Sequence, residues 1–413
     1  MRFIYSYLLY LVIPMTKSYL KKRAKKNPDY LLFWNERFGK NLVNKSTKPI
    51  IWIHAVSVGE TKAMYKLVKL IEENYPNYQL LITQMTPTGR KTAGELYPNA
   101  ILHYIPYDIP KFIKNFYKTF KPKIGLIMET EIWPNLIYYS NKFEIPLFLI
   151  NARLSEKSFK SYNNVRWIFS SIINKFTNIL CQDQKTYDNF KKLGYKQNMS
   201  IVGNTKFDIV LNKSQFKMKD HFLRNIINKK VVIFASTRDG EEEQILNNIT
   251  LTENYLVMIV PRHPERFSEI EKLLIDRKIN YQKRSENLTI EENTKIFLGD
   301  SLGEMMEYYS MANLAIIGGS FNDFGGQNLI EPLYLELPVI FGKSMYNFAS
   351  VAENAILNNC AIQVNSMKEC LEVIDNLLKN EVSYNELKQN CKNFIKQYEG
   401  ASEKILDVVK KYL

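Results

Sequence analysis

The chain has 413 residues, more than one compact core accommodates, so two or three domains are expected. With 46% hydrophobic and 24% charged residues, disordered and fibrous classes are excluded. The net charge of +14 calls for an anionic partner: nucleic acid, an acidic membrane surface or a phosphorylated substrate.

The charge is uneven. Residues 1–40 hold nine basic and two acidic groups, half of the net excess. Just before this cluster lies an apolar run, Phe3 to Met15, and greasy sequence followed at once by Lys21, Lys22, Arg23, Lys25 and Lys26 is the pattern of a membrane-surface anchor. The run falls short of the ~20 residues that span a bilayer easily, and Pro14 and Lys17 interrupt it. No small-x-small cleavage site follows, which argues against a secretory leader. If residues 1–20 associate with a membrane, the flanking positives keep the rest of the chain on its cytoplasmic side. The competing reading is an amphipathic first helix packed on the protein itself.

From residue 49 onward, short β-branched runs alternate with amphipathic stretches. The first half offers strands at 50–55, 80–83, 101–104, 124–128, 147–150 and 179–181, with helical patterns between them such as 61–74 and 183–193. The second half offers strands at 231–235, 256–260, 295–298, 314–317 and 339–341, with helices at 264–277 and 305–311. Such alternation predicts an α/β protein: two Rossmann-like domains with parallel sheets, facing a cleft. The domains are expected at 21–213 and 214–413, the second carrying the terminal helices. The four cysteines, Cys181, Cys360, Cys370 and Cys391, form no CxxC pair and read as buried, reduced thiols.

In open α/β sheets ligands bind beyond the carboxyl ends of strands, and the chemistry-bearing motifs follow the strand runs. His54-Ala-Val-Ser57-Val-Gly59-Glu60 puts a carboxylate at a helix start, where it either stabilises the N-terminus or acts as a general base. Thr86-Pro-Thr-Gly-Arg90 suits a phosphate or sugar contact, or an ordinary cap with a solvated arginine. Glu129-Thr-Glu131 offers two carboxylates at a strand end, either metal ligands or one facing the cleft and one held in the fold; no Asp-x-Asp pair occurs in the chain. Lys206, in Gly203-Asn-Thr-Lys-Phe-Asp208, is a cation for developing negative charge or the partner of Asp208 or another carboxylate. The second half adds Ser236-Thr-Arg238-Asp-Gly-Glu241, Pro261-Arg262-His-Pro, Gly299-Asp-Ser-Leu302-Gly303-Glu304, Gly318-Gly319-Ser-Phe and Gly325-Gly-Gln327-Asn328-Leu329-Ile330-Glu331. Paired glycines let backbone N–H groups approach a phosphate, and Glu331 is placed to accept from ribose hydroxyls. Neither a dinucleotide fingerprint nor a Walker loop is present.

Taken in order, HAVSVGE, TPTGR, METEIWPN, NARLS, GNTKFD, STRDGEE, VPRHPERF, GDSLGEM, GGSF and GGQNLIEP resemble the 3-deoxy-D-manno-octulosonic acid (Kdo) transferases of lipopolysaccharide synthesis, over nearly the whole chain. The resemblance implies a GT-B glycosyltransferase with an N-terminal acceptor-binding domain, a C-terminal nucleotide-binding domain and an N-terminal membrane-anchoring segment at the cytoplasmic face of the bacterial inner membrane. It implies inverting, metal-independent transfer of Kdo from CMP-Kdo to the lipid A precursor (lipid IVA), with no cofactor and no nucleic-acid partner. Glu60 matches the general base; Glu129 and Lys206 match the transition-state stabilisers. Pro261, Arg262, Leu302, Gly303, Glu304, Asn328, Leu329, Ile330 and Glu331 match the CMP-contacting segments, and Ser57 and Arg90 are candidate substrate contacts. Gln327 and Arg238 stand where histidine is common in the family. The competing readings are a GT-B transferase of another sugar nucleotide such as a UDP-sugar, a non-catalytic sugar-nucleotide binder, and a nucleic-acid-binding protein.

Overall fold

In the computed structural model, residues 2–210, 216, 218–226, 229–249 and 255–413 are described. The expected 213/214 boundary lies outside them. The chain forms two compact units, Met1–Val210 together with Tyr398–Leu413, and Leu211–Gln397.

The first unit is a parallel sheet of β1 (Ile50–His54), β2 (Gln79–Gln84), β3 (Ile101–Tyr104), β4 (Ile124–Met128), β5 (Leu147–Ala152), β6 (Asn178–Cys181) and β7 (Asn198–Ile201), in the order β3-β2-β1-β4-β5-β6-β7. Every residue of β1, β4 and β5 is buried, which is why these strands read as unbroken apolar runs rather than alternating ones. On one face Trp52 meets Phe116 and Tyr117 of the helix Pro110–Phe120, with Phe120 behind Phe116 in the same cluster. Its indole N–H donates to Thr83 Oγ1 at 2.8 Å, and cutting so large a buried side chain to Ala costs ~3–5 kcal/mol.

The other face is covered by Leu67, Val68 and Ile71 of the helix Tyr65–Asn74 and by Ile405 and Val409 of the terminal helix Ala401–Val409. The terminal helix was expected in the second domain. Its apolar stripe instead completes the first sheet, and Asp208 holds its start by accepting the N–H groups of Gly400 at 2.9 Å and Ser402 at 2.6 Å.

The first helix runs Arg2–Ala24, through Pro14. It is fastened at its start. The Arg2 guanidinium and the Ser6 hydroxyl both donate to Asn135 Oδ1, at 3.0 and 3.1 Å. Asp108 accepts the N–H groups of Asn135 and Leu136 at 2.9 and 2.7 Å, so the start of the helix Pro134–Lys142 is the fixture. Ser6 and Leu20 are buried, whereas Phe3, Tyr7, Leu8, Leu11 and Met15 are exposed. Among the described residues no helix is long and apolar enough to cross a membrane.

The second unit is a parallel sheet of β8 (Lys230–Thr237), β9 (Tyr255–Pro261), β10 (Tyr281–Lys283), β11 (Ile296–Leu298), β12 (Leu314–Ile317), β13 (Val339–Phe341) and β14 (Ala361–Gln363), in the order β10-β11-β9-β8-β12-β13-β14. Eleven strands match the apolar runs of the sequence. The other three, β7, β10 and β14, lie at sheet edges; β7 is exposed or half-buried throughout and β10 reads Tyr-Gln-Lys. An edge strand has one neighbour and less burial, so it carries little hydrophobic signal.

Candidate active site

Strand order reverses once in each sheet, between β1 and β4 in the first and between β8 and β12 in the second. Loops leaving the two strands at such a point diverge and open a crevice. Glu60 follows β1 and Glu129 follows β4, so the reversal brings the two carboxylates to one place in the first unit.

Ser57 caps the helix Val58–Ala63. Its hydroxyl accepts the Glu60 N–H at 3.3 Å and donates to Glu60 Oε1 at 2.9 Å, while the Val56 N–H donates to Oε2 at 2.8 Å. Ser57 therefore orients Glu60. Burial pushes the Glu60 carboxyl up to about 7; the Val56 N–H works against this, and the charge of Glu129 adds to it.

Glu129 has a left-handed backbone, φ 56°, which turns the chain sharply after β4. Strained backbone of this kind costs about 1–3 kcal/mol and collects at functional sites. Its Oε1 accepts from Lys206 Nζ at 2.9 Å. Lys206 lies in a single 3-10 turn, Thr205–Phe207, capped by Asn204 and tied to β5 by the Thr205 N–H on Asn151 Oδ1 at 3.0 Å. Of the partners open to Lys206, the fold selects Glu129, because Asp208 is engaged with the terminal helix. Glu131 accepts from Trp133 Nε1 at 2.8 Å, and burial raises its carboxyl, with Glu129 adding. Three carboxylates and one ammonium thus share a half-buried site suited to accepting a proton and meeting a developing charge. His54, at the end of β1, is fully buried and held neutral, pushed down to about 4 by desolvation.

Arg90 is held within the first unit. Its guanidinium engages both oxygens of Glu36, donates to the Leu102 carbonyl at 2.9 Å and stacks 3.8 Å from the Phe33 ring centroid. The sequence offered Arg90 as a substrate contact or a solvated arginine; the structure pairs it with Glu36, 54 residues away, which only the fold brings near.

In the second unit, Ser236 is left-handed at φ 59° and the Arg262 N–H donates to the Thr237 carbonyl at 3.1 Å, leaving the Arg262 side chain exposed just after Pro261. Glu241 is the residue that sequence reasoning passed over. It is buried, and accepts the N–H groups of Arg238 at 2.9 Å, Gly319 at 2.8 Å and Phe321 at 3.1 Å. It joins the loop after β8 to the glycine turn after β12. Its signal was available: Gly240-Glu241 repeats Gly59-Glu60, each after the first strand of its unit, beside the point where strand order reverses. A Cβ at Gly318 would run into the Ser236 carbonyl, so this turn is closed to larger residues. Arg238 lies 4.5 Å from the Phe324 ring centroid.

Leu302 is exposed and Gly303 left-handed, while Glu304 accepts from Arg284 at 2.9 Å and from Ser301. Asn328 Oδ1 accepts the Ile330 N–H at 3.0 Å, starting the short helix Ile330–Tyr334. The side chains of Leu329 and Ile330 are buried, so these two offer a ligand only backbone; Glu331 is half-buried near Tyr309. Among the described residues no three His, Cys, Asp or Glu side chains are grouped to hold a metal.

Residues 33–209 match the family described as 3-deoxy-D-manno-octulosonic-acid transferase (kdotransferase), and residues 254–397 match glycosyl transferases group 1. A 3-deoxy-D-manno-octulosonic acid transferase of Haemophilus influenzae is 34% identical over 100% of this chain and 99% of its own. One of Bordetella pertussis is 30% identical with the same coverage. Among solved structures, a UDP-GlcNAc 2-epimerase of Neisseria meningitidis superposes with TM-score 0.61 at 15% identity, covering 88% of this chain and 100% of that one. That likeness concerns the fold, two parallel-sheet α/β domains of the GT-B type.

Proposed function

The chain belongs to the family of Kdo transferases and is a glycosyltransferase, and we propose that it moves Kdo from CMP-Kdo to the lipid A precursor (lipid IVA) in lipopolysaccharide synthesis, with inversion and without a metal ion. The observation that carries the reading is the Glu60 carboxyl, oriented by Ser57 and Val56 beside the Glu129–Lys206 pair and raised to about 7, where a general base works best.

Glu60 takes the proton of the acceptor's primary hydroxyl. The oxygen attacks the anomeric carbon from the face opposite the phosphate, and CMP leaves with the electron pair of the broken C–O bond. The sugar passes through an oxocarbenium-like state, as in glycoside hydrolysis. Lys206 and Glu129 stabilise the charges that develop. CMP is held by the segments at Pro261–Arg262, Leu302–Glu304 and Asn328–Glu331, with Arg262 and backbone N–H groups on its phosphate. Buried Leu329 and Ile330 act through their backbone. The reading without a metal is supported by the absence of an Asp-x-Asp pair from the sequence and by the engagement of Glu129 and Glu131 with Lys206 and Trp133.

The first helix supports a place at the cytoplasmic face of the inner membrane. Phe3, Tyr7 and Met15 are 78%, 67% and 69% exposed and are followed by the basic cluster, whereas apolar surface so concentrated is uncommon on soluble monomers. The helix lies on the membrane rather than across it. Flotation on phosphatidylglycerol vesicles is expected for the whole chain and lost when residues 2–16 are removed; equal flotation of both forms refutes this anchor. For the reaction, the protein is incubated with lipid IVA and CMP-Kdo in the presence of EDTA, and product mass is read. Addition of Kdo, counted in units, supports the proposal. Transfer only from a UDP-sugar, or only with added metal, overturns the corresponding part.

A further inference from the structure

At the amino ends of the strands, away from Glu60 and Glu129, the first unit carries a cavity of about 750 Å³. Lys123 precedes β4 and Pro146 precedes β5, whereas Glu129 follows β4; five residues at ~3.3 Å each put the cavity roughly 16 Å from the catalytic candidates. In an open α/β sheet the ligand crevice lies at the other edge, so that rule does not account for this one.

Its walls are built. Tyr117 is buried with its hydroxyl donating to the Leu136 carbonyl at 3.1 Å, Phe143 lies 6.0 Å from Tyr117, and Tyr412 packs edge-on to Phe148 at 5.1 Å. Lys118, Lys121, Lys123 and Lys411 line it, with Glu144 and Leu413, which bears the α-carboxylate, as the acidic residues of the lining, so that positive charge is in excess. None of the four lysines is in an ion pair among the described residues. Lys121 and Glu144 are both left-handed, at φ 43° and 57°, so the two loops that shape the mouth turn sharply. Like charges around one concavity repel each other, and the arrangement is relieved by an anion. Aromatic walls beneath an ammonium rim fit a ligand that joins a phosphate to a less polar body.

We propose that this cavity is a second binding site, for a phosphate-bearing anion, separate from the transfer site. The phosphate meets the lysines and the remainder of the ligand lies on Tyr412 and Phe143. The chemistry is shared by soluble phosphates and by acidic lipid headgroups. The test is calorimetric titration of the full chain, at low salt, with inorganic pyrophosphate and separately with dihexanoyl phosphatidylglycerol below its micelle concentration. It is repeated on Lys118→Glu/Lys121→Glu/Lys123→Glu, whose exposed side chains leave the fold intact, as an unchanged melting temperature checks. Binding of either probe by the parent, weakened about tenfold or more in the variant, supports the site. Pyrophosphate in that role names a soluble ligand; the lipid alone names a headgroup. The same isotherm in parent and variant, or no binding of either probe by the parent, overturns it.

Discussion

Glu60 and Glu241 occupy matching places in the two units. Each follows a glycine in the first turn of the helix after the first strand of its unit, and each accepts hydrogen bonds from nearby backbone. The surroundings part them. Glu241 is 1% exposed and receives three backbone N–H groups, so its carboxylate is saturated and serves to hold the glycine turn. Glu60 receives one N–H and one hydroxyl, is only half-buried, and sits beside two further carboxylates. One local motif thus yields a brace in one unit and a proton acceptor in the other. Burial raises both carboxyls, and the difference is the number of backbone donors and the exposure.

The largest expected effect comes from removing the acceptor: Glu60→Gln lowers kcat by ~10²–10⁴-fold while CMP affinity stays as it was. Turnover close to the parent's in a steady-state assay would give Glu60 the same bracing role as Glu241 and erase the contrast. Next is Lys206→Ala, which leaves Glu129 without its cation beside Glu60 and is expected to cost ~10²–10³-fold in kcat, with Lys206→Arg recovering part. If instead KM changed and kcat did not, Lys206 would belong to binding.

Glu241→Gln tests the other side. Replacing a carboxylate that accepts three N–H groups loosens the turn at Gly319, and a loss near 1.4 kcal/mol raises the Kd for CMP about tenfold. Here the contrast predicts weaker donor binding with kcat at saturation nearly unchanged. A collapse of kcat would place Glu241 in the chemistry.

The smallest effect is in the pH profile. A base raised to about 7 is protonated and idle below that pH, so kcat/KM rises with pH and levels off above about 7. Glu129→Gln removes a negative charge that raises Glu60, so the acid limb of its residual activity moves to lower pH. A limb that moved upward, or stayed in Glu60→Gln, would detach the profile from Glu60.

Much of this was legible in the sequence. Central strands buried on both faces are continuous apolar runs, so the ten interior strands and their parallel arrangement follow from residue pattern alone, with the edge strand β3 beside them, as do the motifs that trail them and the family they match. The order of motifs likewise places candidate residues at strand ends. What pattern does not contain is which strand end lies beside which. The pairing of Lys206 with Glu129 spans 77 residues, and that of Arg90 with Glu36 spans 54. The terminal helix returns over nearly two hundred residues to the first sheet, to Asp208. Local sequence reports burial and turn chemistry because these act within a few residues. Partner choice and the raised Glu60 carboxyl arise from groups distant in the chain and adjacent in space, and those only the tertiary structure decides.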